Sequence, residues 1–134
     1  MSLADYFDNV KGIGILGTAD REGRVDLAIY ARPHVLDEET VAFIMGDHLS
    51  HRNVAANPHA AYLFVVEAEG YNGLRLYLTK ESEETDPQKI EGMRRKSRRE
   101  EGHAARPSYL VYFKVDEVRR LVGSALEEAQ QTVS

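Results

Sequence analysis

Cysteine is absent from this 134-residue chain. That excludes disulfides, thiolate catalysis and cysteine-ligated zinc or iron–sulfur centres. Long apolar runs are missing as well, and nothing approaches the roughly 20 residues that a membrane-spanning helix needs. The opening residues, Met-Ser-Leu-Ala-Asp-Tyr-Phe, do not place an apolar stretch behind a basic one. No secretory signal is therefore expected, and a cytoplasmic location is. Positive charge is not in surplus: a formal net charge of −5 and a pI near 5.5 argue against general nucleic-acid binding. Common catalytic signatures are also missing, namely G-x-S-x-G, Walker A and H-E-x-x-H. His48 and His51 lie three apart, but no carboxylate stands near them at a metal-ligand spacing, so no metal site is expected. Gly12-x-Gly14-x-x-Gly17 spells the dinucleotide fingerprint in letters only. Its glycines fall inside a strand pattern, not between a strand and a helix.

What remains is an ordinary globule, 43% hydrophobic and 29% charged, of a size for one domain over residues 1–134. Ser2 can cap a short helix whose Leu3, Tyr6, Phe7 and Val10 form one apolar stripe. Strand patterns follow at Ile13–Thr18, Arg24–Ala31, His34–Leu36, Val41–Met45, Ala60–Glu67, Leu74–Thr79 and Tyr109–Val115. In the second of these, Val25, Leu27 and Ile29 alternate with smaller or polar residues, which predicts that they face inward. The glycines at 12, 14 and 17 imply bends or a close backbone approach in the first strand. A helix is predicted from Thr85-Asp86-Pro87 to about Glu101, stopped by Gly102, and another over Ser124–Gln131. Six or seven short strands with hairpin turns and few helices predict a mainly β fold, an antiparallel barrel or sandwich.

The most informative stretch is Gly46-Asp-His-Leu-Ser-His-Arg-Asn-Val-Ala-Ala-Asn-Pro58. An apolar strand runs into it, and a short helix pattern ends at Asn57-Pro58. Ser50, His51, Arg52 and Asn53 thus fall at a helix N-terminus, where backbone N–H groups and the helix dipole favour an anion. A hydroxyl, an imidazole and a guanidinium there make a candidate phosphate cradle, with an ordinary capped helix as the plain alternative. The other conspicuous run, Arg94-Arg95-Lys96-Ser97-Arg98-Arg99, reads as a solvated helix face balanced by Glu91, Glu100 and Glu101.

Ser50-His51-Arg52-Asn53-Val54-Ala55-Ala56-Asn57-Pro58, with the strand after it, resembles the FMN-binding split β-barrel superfamily of pyridoxamine 5′-phosphate oxidase-like proteins. Gly14-Ile15-Leu16-Gly17-Thr18, Ala28-Ile29-Tyr30 and Asn72-Gly73-Leu74-Arg75-Leu76 agree with that pattern in order, and the small bacterial FMN-binding proteins are the nearest likeness. The resemblance implies a six- to seven-stranded antiparallel split barrel that binds FMN noncovalently as a homodimer, with the flavin at the subunit interface. Leu27, Ala28, Ile29, Tyr30 and Arg32 would lie along the flavin. Ser50, His51 and Arg52 would meet its phosphate, and Asn53 would hold that loop. Tyr71-Asn72-Gly73 would approach the partner's flavin. The implied activity is hydride chemistry at flavin N5 on a small substrate, with no catalytic acid or base identified. The alternatives are a non-catalytic electron carrier or redox sensor, a haem or deazaflavin binder on the same fold, and a barrel with no cofactor. One departure stands out: Leu49 and Ser50 occupy positions where many relatives carry Lys or Arg.

Overall fold

The structure, a computed structural model of the chain, describes residues 2–97 and 108–122. Within them lie α1 (Leu3–Asn9), β1 (Gly12–Ala19), β2 (Val25–Ile29), β3 (His34–Asp37) and β4 (Thr40–Gly46). They are followed by α2 (Leu49–Ala56), β5 (His59–Val66), β6 (Gly73–Glu84), α3 (Pro87–Ser97) and β7 (Ser108–Arg120). The strands form one antiparallel sheet in the order β2-β1-β5-β6-β7-β4-β3. The architecture is the split β-barrel that the sequence predicts, with two strands much longer than expected. β6 and β7 run for 12 and 13 residues and bend at register shifts between Tyr77 and Leu78 and between Lys80 and Ser82. Those bulges let charged, non-alternating residues such as Lys80-Glu81-Ser82-Glu83 stay in the ladder, so hydrophobic periodicity under-reads the strands. The predicted late helix is found as α3, with its last four predicted residues, 98–101, outside the described residues, as is the predicted C-terminal helix.

Local chemistry sets the element ends. Ser2 caps α1 by accepting from the Asp5 amide at 3.1 Å. The β1–β2 turn closes on Asp20, whose carboxylate accepts from the Glu22 and Arg24 amides, while Gly23 adopts φ +89°.

One sheet face is the core: Leu16, Tyr62, Phe64, Leu76, Leu78 and Phe113 are all but fully buried. Gly14 belongs to this face for a steric reason, because a Cβ there would overlap the Tyr62 hydroxyl and the Tyr30 carbonyl. The other face corrects an expectation. Val25, Leu27 and Ile29 are 81%, 72% and 71% exposed, while Asp26 and Ala28 are the half-buried residues of β2. The register places Leu27 opposite Gly17 and Ile29 opposite Ile15, and Gly17 and Ile15 in turn opposite Ala61 and Leu63. An apolar outer surface therefore crosses β2, β1 and β5. The alternation correctly separated two faces. Its inward assignment failed: the β2 side chains turned toward α2 and β4 are Asp26 and Ala28.

The sheet curls so that the end of β2 approaches β4 across Phe43. Tyr30 meets the Phe43 ring edge-on at 5.8 Å, and Tyr62 packs on it at 5.0 Å. α2 sits across this closure and touches β1, β2 and β4.

A candidate cofactor-binding cleft

Where the curled sheet stays open, a cleft of about 530 Å³ remains. Its near wall is Asp26, Ala28 and Ile29 of β2, continuing through Tyr30, Ala31 and Arg32. Its far wall is His34 of β3 with Phe43, Ile44 and Gly46 of β4, and His48, Leu49 and Ser50 close the end where α2 begins.

The near wall is held rigid by backbone contacts. The Tyr30 amide donates to the Gly14 carbonyl at 3.0 Å, and the Tyr62 hydroxyl donates toward the carbonyls of Tyr30 and Ala31 at 3.3 and 3.0 Å. Past the last ladder residue, this segment still runs as fixed, partly polar backbone along the cleft. Burial pushes the Tyr30 phenol above its ordinary value. The Ser50 hydroxyl hydrogen-bonds it and works the other way, and the Asp26 carboxylate raises it further. The phenol is therefore a neutral donor near pH 7.

The nine residues singled out from sequence separate into groups. Ala28, Ile29, Tyr30, Arg32 and Ser50 line the cleft. Leu27, the alternate residue of β2, points to the outer surface instead. Arg32 donates to the carbonyls of Phe7 and Val10 at 2.5 and 3.1 Å, so its guanidinium also closes the C-terminal end of α1. Asn53 is buried and donates to the buried Thr18 hydroxyl at 3.0 Å, which pins α2 to β1. His51 and Arg52 do not reach the cleft. His51 stacks on Tyr109 at 3.7 Å between ring centroids and meets the Glu83 carboxylate at 3.0 Å. Arg52 is exposed and lies 3.9 Å from Asp47. Successive helix residues are rotated by about a quarter turn or more, so the side chains of Ser50, His51 and Arg52 fan out, and only that of Ser50 faces the cleft.

The structure adds Phe43 and Asp26, which had no candidate role in the sequence, and brings His34, Gly46 and His48 to the same cleft. The glycine at the strand–helix junction and the histidine two residues after it were the visible signal. A smaller recess of about 250 Å³ lies at Gly70–Gly73 and Arg120–Val122, where Tyr71 stands exposed. On the basic run, Arg94 is mostly covered beside Glu91, whereas Arg95 is exposed. Residues 98–99 fall outside the described residues. Among the described residues, no helix is long and apolar enough to cross a membrane.

No protein-family model matches the sequence, and no curated protein matches it. Solved structures match in fold. An FMN-binding protein from Syntrophomonas wolfei superposes with a TM-score of 0.75 at 12% identity, over 87% of this chain and 82% of that one. A Clostridium acetobutylicum protein of the pyridoxinephosphate oxidase family gives 0.61 at 16% identity, covering 93% of each chain. The fold these structures share with the chain is the split β-barrel. The same split barrel is shared by the haem storage protein HutZ of Vibrio cholerae, at a TM-score of 0.66 and 17% identity over 95% of this chain and 99% of that one. At such identities the likeness is one of fold.

Proposed function

We propose that the chain is a flavoprotein that binds FMN noncovalently in the cleft between β2 and the start of α2, as a homodimer, and that it acts as an oxidoreductase on a small substrate. The observation that carries this reading is the continuity of the cleft. Fixed backbone at Tyr30–Arg32 and an aromatic wall at Tyr30 and Phe43 lead without interruption to the buried Ser50 hydroxyl at a helix start. A planar apolar ring with one polar edge and a phosphate tail needs those features in that order. The residues fit the group. Ala28 offers a side chain small enough to lie under a ring, Ile29 stands at the cleft's rim, Tyr30 offers a neutral donor, and Ser50 a hydroxyl beside it. When bound, FMN would supply two-electron hydride chemistry. This chain's share would be to orient the ring, keep water off it and meet its charge.

The homodimer is supported by the apolar surface over β2, β1 and β5, which continues from the cleft's rim at Ile29. Monomers do not ordinarily leave such a surface in water. FMN titration with fluorescence and absorbance detection tests the reading. Saturable one-to-one binding that weakens at least tenfold in Ser50→Ala and Tyr30→Ala supports it, and absence of any flavin binding overturns it.

A second reading has its own observation: two histidines, His34 and His48, line the cleft. A haem-storage protein shares the fold. Haemin titration separates the two. A sharp Soret band that His34→Ala or His48→Ala removes favours haem, and its absence alongside tight FMN binding excludes it.

A further inference from the structure

Resting on the FMN reading, we propose that His48 is the residue that tells a phosphorylated flavin from an unphosphorylated one, replacing the Lys or Arg absent from positions 49 and 50. Three observations place it. First, His48 occupies the N-cap position of α2, yet its side chain makes no cap hydrogen bond. The residue types favoured there have short oxygen-bearing side chains that cap, so imidazole serves another purpose. Second, the ring is seated. The His48 amide donates to the Gly46 carbonyl at 2.9 Å, and this tight turn folds the imidazole over Gly46. A Cβ on Gly46 would lie 2.9 Å from Cδ2 and 3.1 Å from Nε2, so a side chain at position 46 would displace the ring from this place. Third, Gly46, His48 and Ser50 line the same end of the cleft, whereas His51 and Arg52 lie outside it. Arg32, the lysine-or-arginine cation among the described lining residues, engages the carbonyls that end α1.

An imidazole N–H directed at a phosphate oxygen gives a hydrogen bond to a charged acceptor, which is stronger than a neutral one. Riboflavin has no group to receive it. His48 therefore contributes to FMN affinity and leaves riboflavin affinity nearly untouched, and its effect is read as a ratio of two dissociation constants.

The test measures FMN and riboflavin dissociation constants for wild type, His48→Ala, Gly46→Ala and Arg52→Ala, with thermal midpoints to establish that each variant is folded. His48→Ala is expected to lower FMN affinity about tenfold and riboflavin affinity less than twofold. Gly46→Ala, by pushing the ring off its seat, is expected to reproduce most of that loss of preference. The inference is overturned if His48→Ala or a folded Gly46→Ala keeps the wild-type ratio, or if Arg52→Ala erodes the ratio more than His48→Ala does. A wild-type chain that binds neither flavin overturns the FMN reading and this inference together. Flavin binding with an unchanged ratio in His48→Ala overturns this inference alone.

Discussion

At the scale of single residues, the cleft rests on two buried polar contacts that contribute no ligand-binding atom of their own. The Tyr62 hydroxyl satisfies carbonyls of the wall at Tyr30 and Ala31, and Gly14 leaves the space that lets it arrive. Tyr62→Phe should cost about 1–2 kcal/mol in urea denaturation, because acceptors lose their donor in a closed setting. Gly14→Ala should cost more, about 3 kcal/mol, since the new methyl meets the Tyr30 main chain as well as the phenol. Removing the phenol oxygen should therefore rescue Gly14→Ala only in part. Full rescue in the double variant would place all the crowding on the hydroxyl. Asn53 and Thr18 form the second contact, side chain to side chain between α2 and β1. Asn53→Leu should cost about 1–3 kcal/mol and leave Thr18 unsatisfied. Thr18→Val on that background should then be nearly neutral in the same denaturation assay. Sequence exposed half of each contact. Gly14 is conspicuous inside an apolar strand, and Asn53 is conspicuous in a motif, but their partners Tyr62 and Thr18 look like any strand residues. A hydrogen bond 35 positions apart in sequence leaves no local pattern.

At the scale of elements, the start of α2 is positioned from outside the cleft. His51 lies flat on Tyr109 of β7, and Glu83 of β6 accepts from both His51 and Lys80 at 3.0 Å. Partial burial works to raise the Glu83 carboxyl, but the hydrogen bonds and charges of Lys80 and His51 outweigh it and hold the group below its ordinary value of 4.5. A carboxylate depressed in the folded state stabilises at pH values above its unfolded range. That contribution fades as pH falls through the lower folded value. The stability gap between wild type and Glu83→Gln should accordingly be open near pH 7 and narrow as pH falls below the ordinary carboxylate range. A gap that persists in acid would mean that shape, not charge, makes the contact. The same element explains why His51 looked like a ligand in the sequence. Residues adjacent in a motif are read as neighbours, but a helix turns each onto a different face, and which face meets the cleft depends on β6 and β7. Strand reading met the same limit. The period of two at Val25, Leu27 and Ile29 located β2 to within a residue or two. Which side is covered is decided by Tyr30, Phe43 and α2, which the alternation does not encode.

At the scale of the whole molecule, the exposed apolar residues and the cleft are one problem. Ile29 belongs to both: it lines the cleft and is among the most exposed large apolar residues. Across the sheet from it, Ile13 and Ile15 of β1 and Leu63 and Val65 of β5 continue the same surface. A second copy laid on this surface would cover the open side of the cleft as it buried those side chains. Association and ligand binding should then be linked, each raising the apparent affinity of the other through mass action. Charge placed at the centre of the surface breaks this link with little effect on the fold, because these side chains already face water in the single chain. Leu27→Lys, whose side chain lies outside the cleft, isolates association from direct contact with the ligand. At micromolar concentration the wild type should sediment as a dimer and Leu27→Lys as a folded monomer, with FMN affinity at least tenfold lower in the variant. If instead the variant is monomeric and binds FMN as tightly as wild type, the partner contributes nothing to the cleft and the site is complete within one chain. A wild type that is monomeric both with and without FMN would leave the outer surface without a second copy to cover it.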